Sequence, residues 1–188
     1  LVVAGNHVLS LPGGDRLAQA LDGLDPAIPV FCAQNGVESE RIALRRVDRV
    51  YGVMVWMPAT HLEPGAVATF GSPPGLLDVG RIPAGVDPTA RAVAAALRGA
   101  GFLSDARPDI LRWKYAKLLT NLGNAFQAAC GLEADDPELL RAAAAEAEAC
   151  FAAAGIEALP LEQLLAHTAA ITNHPIAGAE RTGGSTWQ

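Results

Sequence analysis

The chain lacks the features of several functional classes. No apolar run is long enough to cross a bilayer and no stretch resembles a signal peptide, so we expect a cytoplasmic protein without a membrane partner. Its three cysteines (Cys32, Cys130 and Cys150) form no redox or metal-ligand pattern and are expected to be buried thiols in a reducing compartment. The net charge is −6 and no basic cluster stands out, which argues against a nucleic-acid partner.

Common nucleotide-binding and hydrolase motifs are absent as well. The sequence contains no Gly-x-Gly-x-x-Gly, no P-loop and no Gly-x-Ser-x-Gly. His61 and Glu63 lie in one predicted turn, but two isolated ligands are weak evidence for an ion. His167 has no partner pattern around it. We therefore predict no metal site.

The first half of the chain alternates short apolar runs with helical stretches. Because hydrophobic residues make up 51% of the sequence, a substantial core is expected. An open α/β sheet is predicted, parallel at first and with an antiparallel part contributed by the later, closely spaced strands. The predicted strands are 8–11, 29–33, 50–57, 65–70 and 76–79, and the predicted helices are 16–24, which follows Asp15 as N-cap, 38–46 and 87–99.

The second half shows no strand signal after residue 109. Helices are predicted at 113–131, at 137–155 with Asp136 as N-cap, and at 161–172. A boundary near 104–108 would divide the chain into an α/β module, residues 1–105, and a helical module, residues 106–188.

The run from residue 113 to residue 131 carries the most informative pattern. Its apolar residues surround the predicted helix, which is typical of a buried helix. Lys117, Asn121 and Asn124, spaced i, i+4 and i+7, would lie within about 60° of one another on that helix. A buried ammonium is costly unless it is paired, so we expect a polar, anionic ligand beside it. The alternative is an amide network that fixes helix packing while Lys117 reaches solvent. Lys114 is expected at the surface or behind the site.

Two further segments carry candidate ligand-binding residues. Asn35 follows the predicted strand 29–33 within Gln34-Asn35-Gly36, at the sheet edge where open α/β folds bind ligands. A simple Asn-Gly turn is the alternative. Ser185 begins the capping box Ser185-Thr186-Trp187-Gln188, and a helix N-terminus is also an anion site. Since the sequence stops where that helix would start and begins without methionine, we expect an internal piece of a longer protein.

These segments, in this order, resemble the ketopantoate reductase family. The resemblance implies an NADPH-dependent 2-dehydropantoate 2-reductase of pantothenate and coenzyme A biosynthesis. It also implies a partial Rossmann-type, doubly wound α/β domain that lacks its first unit. An all-helical C-terminal domain like that of 6-phosphogluconate dehydrogenase would follow, incomplete in this chain. A small 2-oxo acid would be the substrate, and a homodimer is a further expectation.

The resemblance also assigns roles to individual residues. Lys117 would donate the proton to the carbonyl oxygen, and Asn35 would lie between nicotinamide and substrate. The substrate would be held by Asn121, Asn124 and Ser185. These roles suit the chemistry, because reducing a 2-oxo acid builds negative charge on an oxygen that a positioned ammonium can stabilise and protonate.

The chain departs from the family pattern at three points. Asn124 follows Asn121 by three residues where four are usual. Leu11-Pro12-Gly13 stands where relatives often place a lysine near the adenosine phosphate, which leaves NADPH and NADH both open. The glycine-rich pyrophosphate site is absent, so we expect that this chain alone neither binds the cofactor tightly nor turns over.

Three alternatives remain open at the level of sequence. The protein could be a related reductase of another 2-oxo acid. It could be a non-catalytic α/β-plus-helical module that dimerises through its helical half. A dehydrogenase of the hydroxyisobutyrate or phosphogluconate type shares the architecture, but the order of Gln-Asn-Gly and Ser-Thr-Trp-Gln disfavours it.

Overall fold

A computed structural model of the chain describes residues 2–3, 16–131 and 136–178. The predicted strand at 8–11, the Asp15 cap and the capping box at Ser185 lie outside the described residues. In chain order the elements are β1 (Val2–Val3), α1 (Arg16–Leu21), β2 (Val30–Cys32), α2 (Ser39–Ala43), β3 (Val50–Trp56), β4 (Ala59–Glu63), β5 (Ala66–Thr69), β6 (Gly71–Ser72), β7 (Leu76–Arg81), α3 (Pro88–Gly99), α4 (Ile110–Thr120), α5 (Leu122–Cys130), α6 (Pro137–Ala153), α7 (Leu161–Thr168) and β8 (Thr172–Asn173).

The main sheet has four strands in the order β1-β2-β3-β7. Strands β1, β2 and β3 run parallel, with Val30 opposite Val50, and β7 is antiparallel to β3. The predicted parallel sheet with an antiparallel addition is therefore confirmed. β1 at Val2–Val3 is a strand that the sequence did not predict. Strands β2 and β3 are almost continuously buried, as expected for strands covered on both faces.

Helices cover both faces of this sheet. One apolar cluster joins α1, α2, α4 and α7 to side chains of β2 and β3 such as Val30 and Met54. The second cluster packs α3 against the opposite face through Phe31, Tyr51 and Val79. The first cluster includes both Leu17 and Ile171, so a single core runs across the predicted boundary near residue 105. The α/β architecture is confirmed, whereas a separate helical domain stays a prediction.

Two predicted helix starts are confirmed by their caps. Asp87 accepts a hydrogen bond from the backbone N–H of Ala90 at 2.9 Å, just before α3. Asp136 accepts from the N–H groups of Glu138 and Leu139 at 3.0 and 3.1 Å, just before α6. In both helices proline occupies the first turn, where its missing N–H costs nothing.

The prediction of a single helix over 113–131 is wrong, because two helices, α4 and α5, cover this range and meet at Asn121. The N–H of Asn121 bonds the carbonyl of Leu118, three residues back, and the N–H of Asn124 bonds the carbonyl of Asn121. Hydrogen bonds to the residue three positions back tighten the turn here. Asn121 and Gly123 are also both weak helix formers. Burial also differs, because α4 buries four residues whereas α5 buries none.

Three other predictions need correction. The turn expected around His61 is a strand, since β4 pairs with β5 through a hairpin at Gly65, whose φ is +81°. The predicted helix 161–172 ends at Thr168, and β8 follows it and pairs with β6. Cys32 is buried as expected, but Cys130 and Cys150 are exposed because they lie on α5 and α6, neither of which buries a residue. Among the described helices, none is long and apolar enough to cross a membrane.

Candidate functional site

Two of the residues singled out from the sequence, Lys117 and Asn35, meet at the carboxyl edge of the sheet. Lys117 Nζ, on α4, donates a hydrogen bond to Asn35 Oδ1, in the turn that follows β2. The turn is reversed by Gly36, whose φ is +83°. Helix α4 reaches this edge because it packs across β3 and β7. Residues 82 positions apart in sequence thus share one site.

A glycine in β7 permits this approach of α4 to the sheet. A Cβ at Gly80 would lie 2.2 Å from the carbonyl oxygen of Arg107 and 2.7 Å from Ile110 Cβ. Both distances are far below van der Waals contact, so only glycine allows the segment entering α4 to lie directly on the strand. The position of Lys117 depends on this contact.

A narrow cleft opens at the site, with a volume of about 10 Å3, which is room for about one water molecule. Asn121 contributes to the cleft, as the spacing predicted, whereas Asn124 lies half-buried on α5 and is not part of its wall. Ser185 lies outside the described residues. The lining residues are Gln34, Asn35, Gly36, Val53, Met54, Val55, Lys114, Lys117, Leu118 and Asn121.

The environment of Lys117 alters its protonation. Burial, and to a lesser extent the positive charge of Lys114, lower the pKa of this amine from 10.5 to about 8. An amine with this pKa is largely protonated at neutral pH and still releases its proton readily, as a general acid requires. Lys114 and Lys117 are the two lysines of the whole chain, and both line this cleft.

The sequence left two places open for Lys114, the surface or a position behind the site, and the structure places it in the second. Its side chain is 4% exposed, pairs with Glu40 Oε1 and donates to the carbonyl oxygen of Gln34 at 3.1 Å. Glu40 is 1% exposed and lies over Gly52 of β3, where a Cβ would come within 3.3 Å of its carboxylate. No local pattern marks Glu40 as the partner. The one available signal was the helix itself, because a second lysine on a helix apolar on all sides needs a buried anion.

Several buried polar atoms beside this ion pair have no hydrogen-bond partner among the described residues. They are both polar atoms of the Gln34 side chain, Ser39 Oγ and Glu40 Oε2. Cys32 lies near the same pair, and burial, reinforced by Glu40, raises the pKa of its thiol to about 12. The cleft therefore combines one ammonium of lowered pKa, amide groups and unsatisfied polar atoms, a set suited to a small polar anion.

A second polar cluster, which the sequence did not predict, joins β7 to α7. The fully buried Asp78 accepts from the N–H of Asp105 at 2.7 Å and from Arg107 Nε at 2.8 Å, and its Oδ2 lies 2.9 Å from His167 Nε2. Arg107 also stacks over the ring of Trp113 at 4.3 Å. One metal ion could be ligated together by Asp78, Asp105 and His167, whose ligand atoms lie within 4.8 Å of one another. The guanidinium of Arg107, however, already forms ion pairs with both carboxylates. The cluster is therefore a structural network joining these elements.

Comparison with known proteins shows similarity in part of the sequence and in the fold. Residues 10–84 match the family model described as ketopantoate reductase PanE/ApbA. This stretch is therefore similar to the ketopantoate reductase family. The family resemblance that the sequence predicted is thereby confirmed.

Solved ketopantoate reductases and a related dehydrogenase share the fold. 2-Dehydropantoate 2-reductase from Methylococcus capsulatus is 22% identical, with a TM-score of 0.67 over 94% of this chain and 58% of that one. A putative ketopantoate reductase from Ralstonia solanacearum MolK2 is 21% identical, with a TM-score of 0.68 over 89% and 60% of the two chains. D-Mandelate dehydrogenase, solved with NADH and anilino(oxo)acetate, is 22% identical, with a TM-score of 0.63 over 81% and 52%. The chain thus spans between half and three fifths of these proteins.

Proposed function

We propose that this chain forms the substrate-binding and proton-donating part of a nicotinamide-dependent reductase of 2-oxo acids, with 2-dehydropantoate as substrate and pantoate as product. One observation carries the proposal: Lys117, an amine of lowered pKa, is held by Asn35 at the carboxyl edge of an α/β sheet. The family match over residues 10–84 supports the same reaction class.

Lys117 performs the proton transfer. A nicotinamide cofactor, when bound, would supply a hydride for the carbonyl carbon of the substrate. As that bond forms, the carbonyl electron pair moves to oxygen, which takes a proton from the Lys117 ammonium and becomes the hydroxyl. The amine left behind regains a proton from solvent. The ammonium favours the reaction because it faces charge that is larger in the transition state than in the ground state.

Amide groups orient the reactants in the same cleft. Asn35 fixes the Lys117 ammonium and would contact both the nicotinamide and the substrate, while Asn121, in the wall of the cleft at the end of α4, would hold the substrate. The unpartnered Gln34 amide suits a ligand that carries carboxamide or carboxylate groups. Asn124 and Ser185 complete substrate binding in this proposal.

The cofactor assignment is NADPH, with NADH as the alternative. The donor set of the cleft fits the nicotinamide end of either molecule, while the sequence carries no glycine-rich motif for the pyrophosphate. D-Mandelate dehydrogenase, which shares the fold, was solved with NADH. A role in pantothenate biosynthesis, a cytoplasmic location and assembly as a homodimer belong to the same proposal.

The test is cofactor oxidation by the complete product of the gene that encodes this chain. We expect NADPH-dependent turnover of 2-dehydropantoate, and a loss of about 10³-fold in kcat in Lys117→Ala, because the general acid is removed. Arg91→Ala is the matched control, since it deletes an exposed cation from α3 on the far face of the sheet. The 188-residue chain, assayed beside it, is expected to be inactive.

Two results would change the assignment. Unchanged turnover in Lys117→Ala would remove this residue from the reaction. If the enzyme reduces other 2-oxo acids, such as those with an aromatic side chain, in preference to 2-dehydropantoate, it is a related reductase of another 2-oxo acid. The substrate of D-mandelate dehydrogenase is the reason for including the aromatic compounds in the panel.

A further inference from the structure

Lys114 connects three elements of the fold beneath the reactive amine. It belongs to α4, its carboxylate partner Glu40 lies on α2, and its carbonyl partner Gln34 lies in the turn after β2. Both charged side chains are almost fully buried. A buried pair of this kind seldom adds stability beyond what an apolar pair would give, so its presence calls for another reason.

The two lysines hold neighbouring residues of the same turn. Lys114 bonds the backbone oxygen of Gln34, and Lys117, one helical turn later, bonds the side chain of Asn35. Fixing the backbone at residue 34 limits where the next side chain can point. The Lys114 contact therefore sets the position of the amide that holds the Lys117 ammonium.

The positive charge of Lys114 also acts on Lys117 directly. Other elements around the cleft bring little charge: β3 presents Val53, Met54 and Val55, and the Cys32 thiol is neutral at physiological pH. On β7 and α7, Asp78 and His167 are engaged with Arg107. The described part of α5 carries no charged residue, and the carboxylate of Glu40 is paired with Lys114 itself.

We propose that Lys114 is a positioning residue: it fixes the Gln34-Asn35 turn that holds Lys117, and it places a second positive charge one helical turn from the Lys117 ammonium. The inference rests on the proposed function only for its use in reduction. The physical part, that one lysine tunes the other, can be measured without turnover. A merely structural ion pair would link α2 to α4 and leave the titration of Lys117 unchanged.

The experiment follows the titration of Lys117 by NMR in the 188-residue chain. Because the chain contains two lysines, labelling with [13Cε]lysine gives two side-chain signals, and Lys117→Arg assigns them by deleting one. In wild type the Lys117 signal is expected to titrate near pH 8. In Lys114→Met/Glu40→Gln, which removes both charges together and leaves no buried ion unpaired, the midpoint should rise measurably toward the ordinary value of 10.5, without reaching it, because burial remains.

Lys114→Arg is the charge-preserving control. It should leave the Lys117 midpoint near the wild-type value. If the double variant fails to fold, Lys114→Gln/Glu40→Gln takes its place, because it removes the same two charges and keeps polar groups that can bond each other. A midpoint that does not move when both charges are removed, or that rises as far in Lys114→Arg, would overturn the proposal. Neither result bears on whether Lys117 donates the proton, which the activity of Lys117→Ala tests. Failure of the Lys114 proposal is therefore distinguishable from failure of the proposed function.

Discussion

At the scale of single residues, the lowered pKa of Lys117 has a thermodynamic consequence. Its ordinary pKa is 10.5 and its folded value is about 8, so burial penalises the charged amine. Below pH 8 the amine is protonated in both states and the whole penalty is present. Between pH 8 and 10.5 the unfolded chain holds more protons than the folded one, so stability rises with pH. Above 10.5 the penalty is gone.

Lys117→Met should therefore stabilise the protein at pH 7. The expected gain is about 1–2 kcal/mol, less than the shift alone implies because the amine is only half-buried. The gain should shrink as pH rises above 8 and vanish above about 10.5. Urea denaturation at pH 7, 9 and 10.5 measures it.

Lys114→Met is the matched comparison on the same helix. It leaves the Glu40 carboxylate buried without its partner, so we expect a loss of about 3 kcal/mol at pH 7. Two lysines three positions apart should thus respond to the same substitution with opposite signs. A loss of stability in Lys117→Met at pH 7, or a gain independent of pH, would show that the amine is not strained by burial.

At the scale of elements, local signals account for what the sequence predicts well. Strands β2, β3 and β7 follow from apolar runs bounded by turn residues, and α3 and α6 follow from an Asp-Pro cap. Placing Asn35 at a strand end was enough to bring it to the sheet edge where ligands bind. The bond between Lys117 and Asn35 joins residues 82 positions apart, and two separate local patterns singled out these residues without pairing them.

What the sequence does not predict depends on partners distant in the chain. Glu40 meets Lys114 across 74 residues and Asp78 meets His167 across 89, and neither pair has a spacing that periodicity could detect. The break at Asn121 was missed for a different reason. The apolar pattern continues through it, whereas the backbone bonds change register there and α5 leaves the core.

The contact between β7 and α4 supplies a prediction at this scale. Gly80→Ala would place a Cβ against the backbone at Arg107 and the side chain of Ile110, neither of which can move without displacing α4. We expect a loss of at least about 3 kcal/mol, comparable to severe overpacking of a core. Urea denaturation measures the loss.

Gly99→Ala is the control, since a Cβ at the end of α3 would meet nothing within 4 Å. It should be neutral or stabilise by up to about 1 kcal/mol, because alanine is the better helix former. Equal effects of the two substitutions would mean that α4 is not seated on β7 as described, and would weaken the account of how Lys117 is positioned.

At the scale of the whole molecule, the question is whether the two modules predicted from sequence unfold separately. The main apolar cluster contains residues of α1 and β2 together with residues of α4 and α7. Helix α4, which begins beyond the predicted boundary, packs against β3 and β7 more than against the helix that follows it. The Asp78 network adds a polar link between β7 and α7. These contacts make the described α/β part and α4 to α7 interdependent.

We therefore expect the 188-residue chain to unfold in one cooperative transition. Trp56 ends β3 and Trp113 lies in α4, so each reports on one side of the predicted boundary. In a Trp187→Phe background, adding Trp113→Phe leaves Trp56 as the single tryptophan, and adding Trp56→Phe leaves Trp113. Within each variant, the urea midpoint by tryptophan fluorescence should coincide with the midpoint by far-ultraviolet circular dichroism. If the Trp113 probe changes at a lower urea concentration than the circular dichroism does, α4 belongs to a unit that opens by itself. In that case the contact between Lys117 and Asn35 would join two separately folding parts, and the cleft would open whenever they part.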